Sequence, residues 1–150
     1  MLVMTAEVQY LKSVIQNKMK FKIGISLFVL VFGFYFTAIA QVMAKGKKIY
    51  ETRCLVCHQA DGGGVPNMNA PLDGSSNVVG NNIARLVKIV KGGYSEKIAL
   101  DGYFYNNVMT PNADFKDEDI ANVLSYIRNS WSNKASKITV AQVKAALHKK

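Results

Sequence analysis

Four stretches of the chain repeat apolar residues at helical spacing, and a fifth is apolar without a break. Gly46, Tyr50 and Cys54 fall on one i, i+4 stripe with Val42 and Ile49 beside it, which predicts a helix over 41–54. Ile83, Leu86, Val87 and Val90 predict a second helix, closed by Gly92-Gly93. Ile120, Val123, Leu124, Ile127 and Trp131 mark the buried face of a third. Its first turn holds Asp117, Glu118 and Asp119, where negative charge meets the positive end of the helix dipole. Thr139 is placed to cap a short final helix with Val140, Val143 and Leu147 inward. Three glycines and a proline make residues 61–66 irregular, and the loop is expected to run to Gly80. Residues 95–114 read as loop, and no strand pattern or internal repeat stands out. The fold class is all-α, helices joined by long loops.

The uninterrupted run, residues 23–40, has no charge, follows the basic stretch Lys18-Met19-Lys20-Phe21-Lys22 and closes on Ala38-Ile39-Ala40 before Gln41. A basic start, an apolar run and small residues at −3 and −1 form a secretory signal. The competing reading is an uncleaved anchor, for which the run is near the lower limit of spanning length. Residues 19–40 are therefore read as signal peptide or anchor and 41–150 as the domain. Residues 1–18 read as a mis-assigned extension, since Met19 would make a conventional start. The expected location is the periplasm. The chain is +9 overall; from Gln41 on, 15 Lys and Arg stand against 9 Asp and Glu, a net +6. That excess suits an acidic partner surface or an anionic membrane. Scattered lysines without a basic helix argue against nucleic acid.

The only two cysteines occur in Cys54-Leu55-Val56-Cys57-His58. Two residues between the cysteines match the distance between the two vinyl groups of a haem, and the histidine that follows lies under the iron. Cys-x-x-Cys-His thus reads as covalent haem attachment. Zinc would need further ligands, and the one other histidine is His148. A redox dithiol would need a βαβ setting, which this sequence lacks. A sulfur on the opposite face of the iron would raise its reduction potential. Met43, Met68 and Met109 are the candidates after Gln41. Met43 lies on the first helix, and Met68 on the loop passing the histidine side, where a gap-filling contact is its plain role. Met109 precedes Thr110-Pro111 in a loop that can reach the far face.

Gly46-x-x-x-Tyr50-x-x-x-Cys54, Gly62-Gly63-Gly64-Val65-Pro66, Ala70-Pro71-Leu72, Gly102-x-x-Tyr105-Asn106-Asn107-Val108-Met109 and the run from Asp119 to Trp131 carry a resemblance to a known family. Over about residues 42–147 the chain resembles the single-haem class I cytochromes c. It is most similar to bacterial cytochrome subunits or domains that serve periplasmic dehydrogenases, copper nitrite reductases and terminal oxidases. The resemblance implies that Gly46 lets the first and last family helices touch, with Tyr50 and Tyr126 at the crossing. It implies that the Pro71 carbonyl accepts a hydrogen bond from His58, and that Leu72, Leu86, Val90 and Leu100 line the haem pocket. Arg85, Tyr103 and Tyr105 are its candidates for the propionates. Four residues depart from the family pattern. Thr110 follows the methionine in place of proline. Asn107 takes a glycine position and is expected to turn left-handed. Lys116 takes a capping serine's position and leaves the cap to Asp117, and Ser132 replaces a glycine.

These readings make the chain a one-electron carrier with a single His58/Met109-ligated haem c, and not an enzyme. Lys88, Lys91, Lys97 and Lys134 are candidates for docking an acidic redox partner. The rival is a haem enzyme or gas sensor with an open sixth position, which would need a distal histidine. The processed protein is expected to begin at Gln41. N-terminal sequencing checks this, and residues 23–40 retained in a membrane fraction would refute it.

Overall fold

Glycine at the centre of the first apolar stripe decides how the helices meet. A computed structural model describes Tyr10, Gln16, residues 18–20 and residues 40–148, and the chain divides into two units, Met1–Ala40 and Gln41–Lys150. In the first unit the described residues are helical and exposed. Apart from Ala40, the apolar run read as an export segment lies outside the described residues. In the second unit residues 41–53 form α1. A Cβ on Gly46 would lie 2.2 Å from the Asn122 carbonyl oxygen and 2.7 Å from Tyr126 Cβ. Only glycine allows backbones to approach so closely. The partner is α5, Asp117–Ile127, whose Ile120, Val123, Leu124 and Ile127 are all buried as its periodicity predicts. Full burial of such a side chain stabilises the fold by about 1.5–3 kcal/mol. Tyr50, Tyr126 and Trp131 form a triangle of rings at this crossing, with centroids 5.4–6.2 Å apart and tilted or edge-on geometry.

Capping at α5 differs from expectation. Its cap residue is Lys116, whose ammonium can only donate, and Asp117 already lies in the first turn. The carboxylate that reaches back is Asp119, three residues in, which accepts the Lys116 N–H at 2.9 Å. The last helix, α6 (Val140–His148), begins as predicted. Thr139 Oγ1 accepts the Gln142 N–H at 3.2 Å, and Gln142 Oε1 accepts the Thr139 N–H at 2.8 Å. Its inner face is Val143 and Ala146 with Leu147 partly buried. Val140, expected inside, is exposed because it lies in the first turn, short of the packed face. Together α6, α5 and α4 (Ile83–Gly92) pack on one another. Ser125 Oγ bonds both backbone groups of Ile138, and Arg128 donates to the carbonyls of Val78, Gly80 and Ser136. These bonds fasten the connectors that lead into α4 and α6 to the C-terminal part of α5 and the residue after it.

Two short elements occupy segments read as loop. One helical turn, α3 (Ser76–Val79), forms where the Ser75 carbonyl accepts the N–H groups of Val78 and Val79. It is too short to show a period. Strands β1 (Ile98–Leu100) and β2 (Tyr103–Tyr105) pair antiparallel, with Ile98 opposite Tyr105 and Leu100 opposite Tyr103. Asp101 and Gly102 join them with φ of 50° and 87°. Asp-Gly between apolar residues is a hairpin signal, which three-residue strands leave without visible alternation.

Replacing Gly46 by alanine is expected to lower stability by about 1–3 kcal/mol, the usual cost of overpacking a closed contact. Denaturant unfolding of the intact protein checks this; an unchanged midpoint would show that α1 and α5 tolerate separation there.

Candidate functional site

The attachment motif is itself a helical turn. Cys54 ends α1, its N–H bonding the Tyr50 carbonyl at 2.9 Å, and α2 (Leu55–His58) continues at once with His58 N–H on the Cys54 carbonyl at 2.9 Å. Residues i, i+3 and i+4 share one side of a helix, so this turn sets Cys54, Cys57 and His58 side by side. Neither cysteine is in a disulfide; Cys54 is half-buried and Cys57 exposed. Burial pushes the Cys54 thiol up to about 11, opposite to the lowered pKa that a redox dithiol needs.

The His58 ring is fixed from one side. Its Nδ1 lies 3.0 Å from the Ala70 carbonyl. A carbonyl only accepts, so Nδ1 carries the proton and the Nε2 lone pair is left for a ligand. Burial lowers the ring's basicity, with the Ala70 bond acting against it, and the imidazole is thereby favoured in its neutral, ligating form. The acceptor is Ala70, not Pro71 as the resemblance implied. The loop is pinned upstream by the Val65–Asn69 bridge and downstream by Leu72 and Asp73 N–H on the Gly62 carbonyl. That register turns the Ala70 carbonyl to the ring and leaves Pro71 and Leu72 as half-buried neighbours.

Two cysteines and a neutral imidazole on one turn are the donor set for a covalently held haem. Residues 43–131 match the family described as Cytochrome c. This chain belongs to the cytochrome c family. Cytochrome c-552 of Thermus thermophilus is 36% identical over 98 residues, which is 63% of this chain and 66% of that protein. Alcohol dehydrogenase (quinone), cytochrome c subunit, of Gluconacetobacter polyoxogenes is 34% identical over 107 residues, 65% of this chain but 21% of that protein. The corresponding subunit of Gluconobacter oxydans is 29% identical over 98 residues, 60% of this chain and 19% of that protein. As a class I cytochrome c, the protein carries covalent haem c with its iron.

Met109 of the cytochrome is half-buried and packs on the same apolar cluster as Cys54 and Leu72. It exchanges backbone hydrogen bonds with Tyr94, at 2.8 and 2.9 Å. Gly93, with φ 76°, is required there because a Cβ would lie 2.5 Å from the Met109 carbonyl. Beyond Met109, the N–H and Nδ2 of Asn112 both reach the Val90 carbonyl, and Lys91 Nζ donates to the Ala113 and Phe115 carbonyls. Lys91 is thereby an anchor of this loop, not a docking lysine. Leu86, Val90 and Leu100 are buried, and Met43 is half-buried on α1. Met68, expected to fill a gap, is instead 49% exposed. Asn107 has no left-handed φ; the turn needs none, and its amide bonds across to Asn69 instead. The propionate candidates sit on two elements, Arg85 on α4 and Tyr103 and Tyr105 on β2. Arg85 lies along the outer flank of α4 with its guanidinium 5.6 Å from the Tyr94 ring centre, Tyr103 is exposed and Tyr105 is buried. No hydrogen bond or ring contact joins these three.

Several contacts of the site escaped the sequence reading. Tyr50 Oη donates to the Gln59 carbonyl at 2.5 Å and Trp131 Nε1 to the Ala60 carbonyl at 3.0 Å, so the aromatic triangle also holds the chain just after His58. Gly62 has φ 72°, and a Cβ there would lie 2.7 Å from the Trp131 ring. Buried Asn133 donates to the Leu72 and Ile127 carbonyls and accepts from Gly74 N–H. Trp131, not Ser132, takes the left-handed φ, and Ser132 bonds Asp73. Aromatic and Asn residues beyond a helix end were the available signal.

Arg53, next to Cys54, makes two 2.9 Å bonds to Asp114 beyond Met109 and lies over the Phe115 ring. The Arg53 hydrogen bond holds the Asp114 carboxyl below its usual pKa. A carboxyl depressed in the folded state stabilises the fold above its unfolded pKa of about 4, and loses that contribution as pH falls through the folded value. Wild type is expected to exceed Asp114→Asn in stability at pH 7, with the gap closing as pH falls below about 4. Denaturant unfolding of both across that range checks this, and a gap independent of pH would contradict it.

Proposed function

We propose that this cytochrome is a one-electron carrier whose iron is ligated by His58 and Met109, and not an enzyme. The bound haem supplies the redox centre. The observation that carries the reading is the pairing of a ring fixed through Nδ1 with a thioether on a backbone bridge, the thioether packed on the same core as Cys54 of the attachment turn. Two strong axial ligands would fill the iron's coordination, and methionine with histidine raises its potential. The open-site rival lacks a distal histidine, since the only other one, His148, is exposed on α6.

By analogy with the dehydrogenase subunits it resembles, its partner would be a dehydrogenase, with a reductase or oxidase as the alternatives. The basic segment before residues 23–40 supports export to the periplasm, as a free shuttle or held at the membrane. The positive excess supports an acidic docking surface on the partner. Of the candidate lysines, Lys88 and Lys134 are exposed and Lys97 lies over the Phe104 ring, 4.4 Å from its centre. Propionate contacts by Arg85, Tyr103 or Tyr105 stay part of this proposal.

Met109→Ala is expected to leave the haem attached, lower the reduction potential, abolish the weak sulfur-to-iron absorption of the oxidised protein and admit carbon monoxide to the reduced iron. Met68→Ala should change none of these. Absorption spectra and potentiometry decide it: loss of the band in Met68→Ala but not in Met109→Ala would sink the assignment.

A further inference from the structure

The loop that carries Met109 is held unevenly. After Met109 it is tied to α4 through Asn112 and Lys91 and to Arg53 through Asp114, and Met109 itself is bridged to Tyr94. Before Met109, the stretch 106–108 is exposed and lies outside any helix or strand. One residue ties that stretch down. Asn107 N–H donates to the Met68 carbonyl at 3.1 Å, and Asn107 Nδ2 donates to Asn69 Oδ1 at 2.9 Å. Met68 and Asn69 belong to the loop whose next residue, Ala70, holds the His58 ring. A short relay therefore joins the two sides of the site: His58 to Ala70, its neighbour Asn69 to Asn107, and Asn107 through Val108 to Met109.

We propose that Asn107 and Asn69 are positioning residues that clasp the two loops and hold Met109 where its thioether would ligate the haem iron. The proposal rests on the reading of Met109 as a ligand. A neutral amide pair suits the place, because each amide offers both a donor and an acceptor without bringing a charge next to an apolar pocket. The backbone bond from Asn107 to Met68 survives side-chain truncation, so the amide contact can be removed alone. Removing it from either end should free the methionine to leave the iron more often, and the protein need not unfold for that to happen.

The test uses the haem-loaded full chain with Asn107→Ala, Asn69→Ala, the double variant and Asn69→Gln. The readouts are the rate of carbon monoxide binding to reduced iron and the strength of the sulfur-to-iron band. Each alanine variant is expected to bind carbon monoxide about fivefold faster, the factor that one net hydrogen bond corresponds to. The double variant should be no faster than either single, because both remove the same bond. Asn69→Gln keeps a neutral amide acceptor for the Asn107 amide and should lie closer to wild type than Asn69→Ala. Single variants at the wild-type rate, or effects that multiply in the double variant, overturn the clasp. Met109→Ala separates the two failures. If it keeps the band, the ligand reading falls and the clasp with it; if it loses the band while the alanine singles behave as wild type, the clasp alone falls.

Discussion

A histidine that must present one nitrogen to a metal has to be held by the other, and much of this small protein is arranged around that bond. The Ala70 carbonyl can face His58 Nδ1 only if the loop 62–72 keeps its register. Gly62 takes two N–H groups from the loop's far end, Gly64 permits a backbone approach that a Cβ would block at 2.3 Å, and Asn133 holds Leu72 from the end of α5. Trp131 closes over Gly62 while its indole N–H secures Ala60. A single orienting hydrogen bond thus draws on residues from the first helix to the segment beyond α5. Such outer contacts fix a ligand's tautomer and direction as firmly as the ligand itself is fixed.

Residue spacing made the helices and the attachment turn legible. A repeat of 3.6 residues in α1, α4 and α5 is a property of the chain itself, and Cys-x-x-Cys-His needs no tertiary context to place its three side chains together. What stayed hidden depends on contacts between distant segments. The choice of Ala70 over Pro71 follows from where the Gly62 carbonyl pins the loop, some ten residues upstream. Asn107 looked like a glycine substitute because it takes a glycine position of the family pattern; its side-chain amide instead donates a hydrogen bond to a residue 38 positions away. Lys91 looked like a surface charge, yet its ammonium is occupied by two carbonyls. Long polar side chains are the hardest to read from sequence, since their reach lets them serve either solvent or a neighbouring loop.

Charge placement completes the logic of the site. Residues 62–72 and 102–113, the loops that orient His58 and carry Met109, contain no charged residue in a chain of net charge +9. An ionised side chain facing a low-dielectric pocket is costly unless it is paired. Charge begins again at the loop ends, and at each of the four it is an aspartate with work to do. Asp61 accepts Gly63 N–H, Asp73 accepts from Ser132, Asp101 accepts Ser76 N–H and Asp114 is clasped by Arg53. Carboxylates accept strongly and remain solvated at the surface, so they can hold loop ends while the spans between stay neutral. The arrangement separates two demands that compete in a domain of this size: an apolar lining for the cofactor, and enough polar anchoring to keep irregular backbone in one conformation.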